Sequence, residues 1–301
     1  MKAVVTGATG FVGKWLVNEL LEQGYYVCAI VRNSLKTPQN WSKSVQIIES
    51  DLSRLAELED VDEADVFFHL AWTGTSGVER ANEKIQLANV QYTIDAVRLA
   101  NRMKCKRFIN AGSIMEYEAS LCMNDASISP SLGYIYSTAK LTADYMARTV
   151  AQSLGVEYLN AIISNIYGVG ETSARFLNTT LRKLIAGDTI EMTEGLQLYD
   201  FIYVSDAVKQ MVLLSRDGQP NHNYYIGNSQ QRKLREFVLE MKEIVGSRSL
   251  IKFGAIKFDG PMLSYSEFDT KAMMKLGFSP QYSFADGVRK TYNWMRGQED
   301  E

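Results

Sequence analysis

The stretch Thr6-Gly7-Ala8-Thr9-Gly10-Phe11-Val12-Gly13 follows the apolar run Ala3-Val4-Val5 almost at the first residue. It reads as a glycine-rich turn between a buried strand and a helix. Gly7 permits the tight turn, Gly10 lets the backbone approach a pyrophosphate, and Gly13 lets the helix pack on the strand. The N–H groups and positive dipole end of a helix starting near Gly10 suit phosphates. A second motif, Tyr136-Ser-Thr-Ala-Lys140, stands well downstream.

Outward from the turn, strand-like and helix-like segments alternate. Residues 2–6, 25–31, 45–48, 65–70, 107–110 and 157–163 read as strands; 11–23, 83–103 and 135–153 read as helices. The first helix carries an apolar face at Phe11, Trp15, Leu16, Leu20 and Leu21. This alternation predicts an α/β fold, a Rossmann-type doubly wound parallel sheet with helices on both faces. After Tyr167-Gly168-Val169-Gly170 the rhythm loosens into helical patches at 174–186, 205–214, 234–245 and 284–295, with short strands at 200–204 and 250–253. The expected organisation is a dinucleotide-binding domain over 1–168, to which later segments return. A smaller C-terminal α/β substrate lobe over 169–296 and a loose acidic tail at 297–301 complete it.

Composition narrows the partners. The chain has 301 residues, 46% hydrophobic and 22% charged, enough for a large core. Lys and Arg total 32 against 35 Asp and Glu, a net charge of −3. That balance gives no electrostatic reason to expect nucleic acid or an anionic membrane. No apolar run approaches the ~20 residues of a membrane span. Cys28, Cys105 and Cys122 are odd in number and far apart, and neither His69 nor His222 stands near a cysteine. The expectation is a reduced, cytoplasmic, metal-free protein.

Tyr136 and Lys140 are four residues apart on an expected helix, so their side chains share a face. A phenol of unperturbed pKa about 10 is a poor acid–base catalyst near neutrality. A neighbouring ammonium favours the phenolate, and so does an oxidised nicotinamide. Ser113 lies just past the strand in Phe108-Ile-Asn-Ala-Gly-Ser113. At that sheet edge a hydroxyl can orient a substrate carbonyl or hydroxyl toward Tyr136.

With these residues the chain resembles the extended short-chain dehydrogenase/reductase family of NAD(P)-dependent nucleotide-sugar epimerases, dehydratases and reductases. The resemblance runs through Thr6 to Gly13, Asp51-Leu52, His69-Leu70-Ala71, Asn89, Ser113 with Tyr117, Tyr136 with Lys140, and Asn165-Ile-Tyr167-Gly168. It continues through Asp200-Phe-Ile-Tyr-Val-Ser-Asp206, Tyr225-Ile-Gly227, and Phe268-Asp269 with Leu276-Gly277-Phe278. It implies Ser113, Tyr136 and Lys140 as the catalytic trio, with Lys140 also on the ribose. It implies cofactor contacts from Gly7, Thr9, Gly10, Phe11, Val12, Gly13, Arg32, Asp51, Leu52, Leu70, Ala71, Trp72, Asn89, Ala111, Ser164 and Ile166. Substrate contacts are implied at Thr73, Asn165, Arg175, Tyr199 and Lys257. A homodimer through the helices at 83–103 and 135–153 is likewise implied.

Three departures from the family pattern bear on the reaction. The second strand ends in Arg32, where an acid suits the ribose 2′-hydroxyl of NAD(H) and an arginine the 2′-phosphate of NADP(H). NADP(H) is therefore favoured, with NAD(H) the alternative. The dehydratases' Asp-Glu pair is replaced by Ile114 and Met115, which cannot move protons. Glu116 and Glu118 stand where the family often has an apolar residue and a glycine, and the family pattern does not explain them; Glu118 reads as a solvated loop charge or as facing the sugar. Tyr199 precedes Asp200 where relatives often carry arginine, and Lys257-Phe-Asp-Gly-Pro261 lacks the arginine that grips a diphosphate, a task left to Lys257 or Arg175. The expectation is NADPH-dependent reduction of the C4 ketone of a nucleotide-linked 4-keto-6-deoxyhexose, in the manner of reductases that finish CDP- or dTDP-linked deoxysugars. The alternatives are a 4-epimerase with bound NAD and a catalytically silent, cofactor-bound regulatory protein.

Overall fold

The computed structural model describes all residues except 42–43, 60, 125–130, 259–261 and 298–301. The expected acidic tail and part of the 257–261 segment thus lie outside the described residues. In order come β1 (Lys2–Thr6), α1 (Phe11–Glu22), β2 (Tyr26–Val31), β3 (Val45–Glu49), β4 (Val66–His69), α2 (Glu83–Arg102), β5 (Arg107–Ser113), α3 (Met115–Asn124), α4 (Tyr134–Leu154) and β6 (Glu157–Ile163). They are followed by β7 (Asn165–Tyr167), α5 (Phe176–Ala186), β8 (Ile190–Glu191), β9 (Leu198–Tyr199), β10 (Phe201–Tyr203), α6 (Val204–Asp217) and β11 (Asn223–Ile226). Last come β12 (Arg232–Lys233), α7 (Leu234–Ile244), β13 (Ile251–Lys252), α8 (Ala272–Lys275) and α9 (Phe284–Met295).

The chain forms two compact units, 1–163 with 208–225 and 164–207 with 226–301. The first unit leaves off after Ile163, five residues short of the expected 168, because Asn165–Tyr167 pairs with β10 of the second unit instead of extending β6. The return of later segments to the first unit is the stretch 208–225.

The first unit is built on a seven-stranded sheet in the order β11-β6-β5-β4-β1-β2-β3, with parallel pairing throughout β1 to β6. Its strands are apolar on both faces, as a sheet covered by helices on each side requires. Phe67, Phe108 and Tyr158 sit opposite one another on β4, β5 and β6 and stack at centroid distances of 5.4 and 5.7 Å. All three are fully buried, and burying each stabilises the sheet by about 1.5–3 kcal/mol. β5 runs three residues beyond its expected end because Ala111, Gly112 and Ser113 continue in register with Ala161, Ile162 and Ile163. Small residues that resemble a turn in sequence are here a strand end.

The second unit carries short pairings, β7 with β10, β9 with β12 and β8 with β13. Its core is aromatic: Phe237 meets Phe201 at 4.9 Å and Phe284 at 4.7 Å, and the Arg232 guanidinium lies 4.1 Å over the Phe237 ring. The two acids of the 200–206 motif are anchors within it. Asp200 accepts the N–H of Ser229, and buried Asp206 accepts those of Gln281 and Tyr282.

At the end of β4, buried His69 bridges two threonines, Thr6 at 2.8 Å on Nδ1 and Thr93 at 3.4 Å on Nε2. Burial, reinforced by the Lys140 ammonium, pushes its pKa down to about 3. The imidazole of the unfolded chain takes its proton near pH 6.5. The unfolded state thus binds the extra proton between these values, and stability is lost as pH falls through that window, by roughly 1.4 kcal/mol per pH unit from this group. The His69→Gln variant, which retains a donor and an acceptor for the threonines, is expected to lose its denaturant midpoint less steeply in acid. Identical slopes in the two proteins would count against this role.

Candidate active site

The glycine turn is dictated by what cannot fit. Gly7 adopts φ +70°, and a Cβ there would stand 2.8 Å from the main-chain nitrogen of Ala71. A Cβ on Gly13 would stand 2.1 Å from the Gly7 carbonyl oxygen, so α1 packs on the turn only because that atom is missing. The Gly10 N–H closes the turn onto Gly7 O at 2.9 Å. α1 then begins at Phe11, and the turn before it lines a cleft of about 810 Å³ with Gly7, Thr9 and Gly10.

That cleft gathers Gly7, Thr9, Gly10, Arg32, Asp51, Leu52, Leu70, Ala71, Trp72 and Asn89 from the expected cofactor contacts. Thr73, expected on the substrate, lines the same cleft. Phe11, Val12, Gly13 and Ala111 are not among the residues that line it; Gly13 is packed behind the turn, and Ala111 contributes its carbonyl elsewhere. Lys14 and Lys36 line it too and were not singled out in the sequence. The signal was there: Lys14 directly follows the glycine motif, and Lys36 follows Arg32 by one helical turn's spacing. Asp51 accepts the Ser53 N–H, which lowers its pKa, and Arg32 adds to the effect.

Asn89 and Gln86 on α2 hold the loop after β4. Asn89 accepts the Thr73 N–H at 3.0 Å and donates to the Thr73 carbonyl at 2.8 Å. Gln86 accepts the Trp72 indole N–H at 2.8 Å and donates to the Gly74 carbonyl at 2.9 Å. Gln86 was absent from the sequence reading, since a buried glutamine on a helix face announces itself only through its partners.

Tyr136 and Lys140 sit on one face of α4, 8% and 5% exposed. The Lys140 ammonium donates to the Ala111 carbonyl at 2.9 Å, tying α4 to β5 two residues before Ser113. It also lies 3.7 Å from the centroid of the Trp72 ring. The same indole meets the Tyr136 ring edge-on at 6.1 Å, and the Arg80 guanidinium lies 4.5 Å over that phenol ring. Trp72 therefore touches both members of the pair, and a cation lies on the tyrosine face.

Ser113 ends β5, and its Oγ accepts the Met115 N–H at 3.2 Å. The two acids beyond it are not solvated loop charges; both lie in the first turn of α3. Glu116 is 2% exposed and accepts the Ser113 N–H at 2.8 Å on Oε1 and the Asn160 side chain at 3.0 Å on Oε2. Burial, joined by the Asp144 carboxylate, raises its pKa to about 8. Half-buried Glu118 accepts the Ser137 hydroxyl at 2.7 Å, and burial raises its pKa as well. The sequence carried the sign of this arrangement in Ser113-x-x-Glu116, a capping-box spacing.

Residues 3–227 match the NAD dependent epimerase/dehydratase family. The chain belongs to that family. CDP-abequose synthase of Salmonella typhimurium is 26% identical, over 95% of this chain and 96% of its own length. UDP-glucose 4-epimerase of Mycolicibacterium smegmatis is 24% identical over 99% of each. Among solved structures, UDP-glucuronic acid 4-epimerase from Bacillus cereus, in complex with UDP-glucuronic acid and NAD, superposes with a TM-score of 0.80 at 20% identity, covering 99% of each chain. The fold of this epimerase/dehydratase-family member is thus the one seen around NAD in that enzyme. No helix among its described residues is long and apolar enough to cross a membrane.

The remaining expected contacts lie in the second unit. Asn165 donates its side-chain amide to the Asp200 carbonyl at 3.2 Å. Ser164 and Ile166 are neighbours of it, Ile166 buried on β7. This unit has a cavity of about 470 Å³ lined by Phe176, Lys183, Thr193, Gln197, Tyr199 and Ile256, among others. Tyr199 thus lines a cavity; Arg175 and Lys257 are not among its lining residues. Arg175 instead stands 3.9 Å from Glu171.

Replacing Asn89 by leucine removes the acceptor of the Thr73 N–H and leaves the Thr73 carbonyl only its longer bond from Gln86, 3.4 Å, at about 1–3 kcal/mol. The expected outcome is roughly ten-fold or greater weakening of NADP(H) and NAD(H) binding, read by calorimetry, with native circular dichroism. Unchanged affinity would show that the loop is held without Asn89.

Proposed function

We propose that this chain reduces the C4 ketone of a nucleotide-linked 4-keto-6-deoxyhexose, with NADPH as reductant. The observation that carries the reading is Tyr136 and Lys140 buried on one face of α4 against Trp72, in the unit whose glycine cleft is lined by Arg32, Lys36 and Lys14. The fit of a dinucleotide rests on the missing Cβ atoms at Gly7 and Gly13 and on Gly7, Thr9 and Gly10 lining the cleft just before α1. Three cations lining it favour a 2′-phosphate over a bare ribose. When bound, NADPH supplies a hydride.

Tyr136 gives its phenolic proton to the carbonyl oxygen as that oxygen becomes an alkoxide. Lys140, held on the Ala111 carbonyl and the Trp72 face, stabilises the phenolate left behind. The Ser113 hydroxyl accepts from Met115 and so directs its own proton outward, to the substrate oxygen. Ile114 is buried and Met115 is a thioether, so neither supplies the acid or base that loss of water needs. Support for a nucleotide sugar comes from the CDP-abequose synthase and UDP-glucose 4-epimerase relatives.

A 4-epimerase is the second reading, favoured by the epimerases among the similar proteins. In it Tyr136 takes the C4 hydroxyl proton first, and no cofactor is consumed. A homodimer through α2 and α4 belongs to the same proposal. Leu87 on α2 and Tyr145 on α4 are each 65% exposed in the single chain.

The deciding assay follows NADPH and NADH oxidation with CDP-, dTDP-, UDP- and GDP-linked 4-keto-6-deoxyhexoses. Stoichiometric NADPH loss with one of them is expected, and Tyr136→Phe should abolish it while cofactor still binds. Silence across the panel with NAD retained on the purified protein would transfer the assignment to epimerisation. Arg32→Asp should move the NADPH-to-NADH preference toward NADH by ten-fold or more, the size of one charge-assisted contact of about 1.5–3 kcal/mol. An unaltered ratio would place the 2′-phosphate contact elsewhere.

A further inference from the structure

Ser113 and Glu116 form a closed pair at the start of α3. The serine hydroxyl accepts an amide of the first turn, and the Glu116 carboxyl reaches back to the serine's own N–H at 2.8 Å. This is the geometry of a capping box, but two features set it apart from an ordinary cap. Helix caps lie at the surface, where water can take over the orphan donors; Glu116 is 2% exposed. Its second oxygen is also engaged, by Asn160 of β6 at 3.0 Å, and Asn160 in turn accepts Asn110 of β5 at 2.9 Å. The carboxyl thus fastens the end of β5 to β6 and to α3 at the residue assigned to orient the substrate.

We propose that Glu116 is a positioning residue for Ser113: its buried carboxyl grips the serine main chain, and its protonation state sets how firmly the serine hydroxyl is presented. The proposal rests on the reductase reading for its effect on turnover. The groups facing Glu116 come from two elements. Asp144 and Lys140 lie on α4, with Arg148 paired to Asp144 at 2.9 Å, and Tyr158 lies on β6. Asp144 opposes ionisation of Glu116, and Lys140, Asn160 and the Ser113 N–H favour it. Burial and Asp144 dominate, so the carboxyl ionises near pH 8 instead of in the ordinary carboxylate range. As pH rises through that point, a neutral acceptor becomes a carboxylate, and its bond from the Ser113 N–H shortens and strengthens.

The test reads the Ser113 amide resonance by heteronuclear NMR in the wild-type protein and in Glu116→Gln, between about pH 6 and 10. The expected result is a downfield movement with a midpoint near pH 8 in the wild type, absent from Glu116→Gln. In the reductase assay above about pH 9, where the wild-type carboxyl is ionised, Glu116→Gln should fall ten-fold or more below the wild type in kcat with KM for NADPH unchanged, and it should lack the rising limb near pH 8 that the wild type shows. A merely structural cap would lower Tm while leaving the shape of the pH profile intact, and that outcome overturns the proposal. So does a wild-type Ser113 amide that does not titrate, a measurement that needs no variant to fold. If no sugar is turned over by the wild type, the reductase reading falls, and the amide titration still decides whether Glu116 governs Ser113.

Discussion

No side chain can stand at residue 13. The Gly7 carbonyl oxygen occupies the place a Cβ would take, and from that close approach of helix to turn the rest of the nucleotide cleft follows. With α1 drawn onto the end of β1, the glycine turn lines a cleft together with the end of β2 and the loop after β4. The loop after β4 is then placed within reach, and Asn89 and Gln86 hold it there. Fixed by two amide side chains, that loop carries Trp72, against which both Tyr136 and Lys140 rest. A steric constraint at the first turn of the first helix thus reaches, through the loop and Trp72, the Tyr136–Lys140 pair on the fourth.

The buried ammonium of Lys140 is the most expensive group at the site, since an uncompensated charge is strongly disfavoured away from water. Its contacts include a carbonyl on one side and an aromatic face on the other. Its charge is felt by its neighbours: it helps hold His69 neutral and favours the ionised form of Glu116.

The frame of the first unit could be read from the sequence because its signals are local. Glycines at fixed offsets, strands apolar on both faces and a Tyr–Lys spacing on a helix each depend on a few neighbouring residues. Strand and helix bounds from residue 2 to residue 163 fall within a few positions of those expected. What escaped depends on residues brought together from afar. β5 extends to Ser113 because Ala161 to Ile163 are there to pair with it. α3 went unseen because the segment reads as a loop until Ser113 and Glu116 are recognised as its cap. Glu116 stayed unexplained because sequence does not reveal that Asn160 and Asp144 stand beside it. In the second unit the strands are two or three residues long, too short for periodicity to mark their pairing, and Arg175 and Lys257 were chosen by charge alone.

The hydroxyl of Ser113 serves two masters, the fold and the substrate. The amide it accepts belongs to the first turn of α3, so the same oxygen that would meet a sugar carbonyl also ends a helix. Evolution and protein engineering thus face one atom with two obligations: loosening the helix and disarming the serine are a single event. An alanine at this position would report fraying and lost orientation in one undivided number, whereas a threonine keeps the oxygen and separates them.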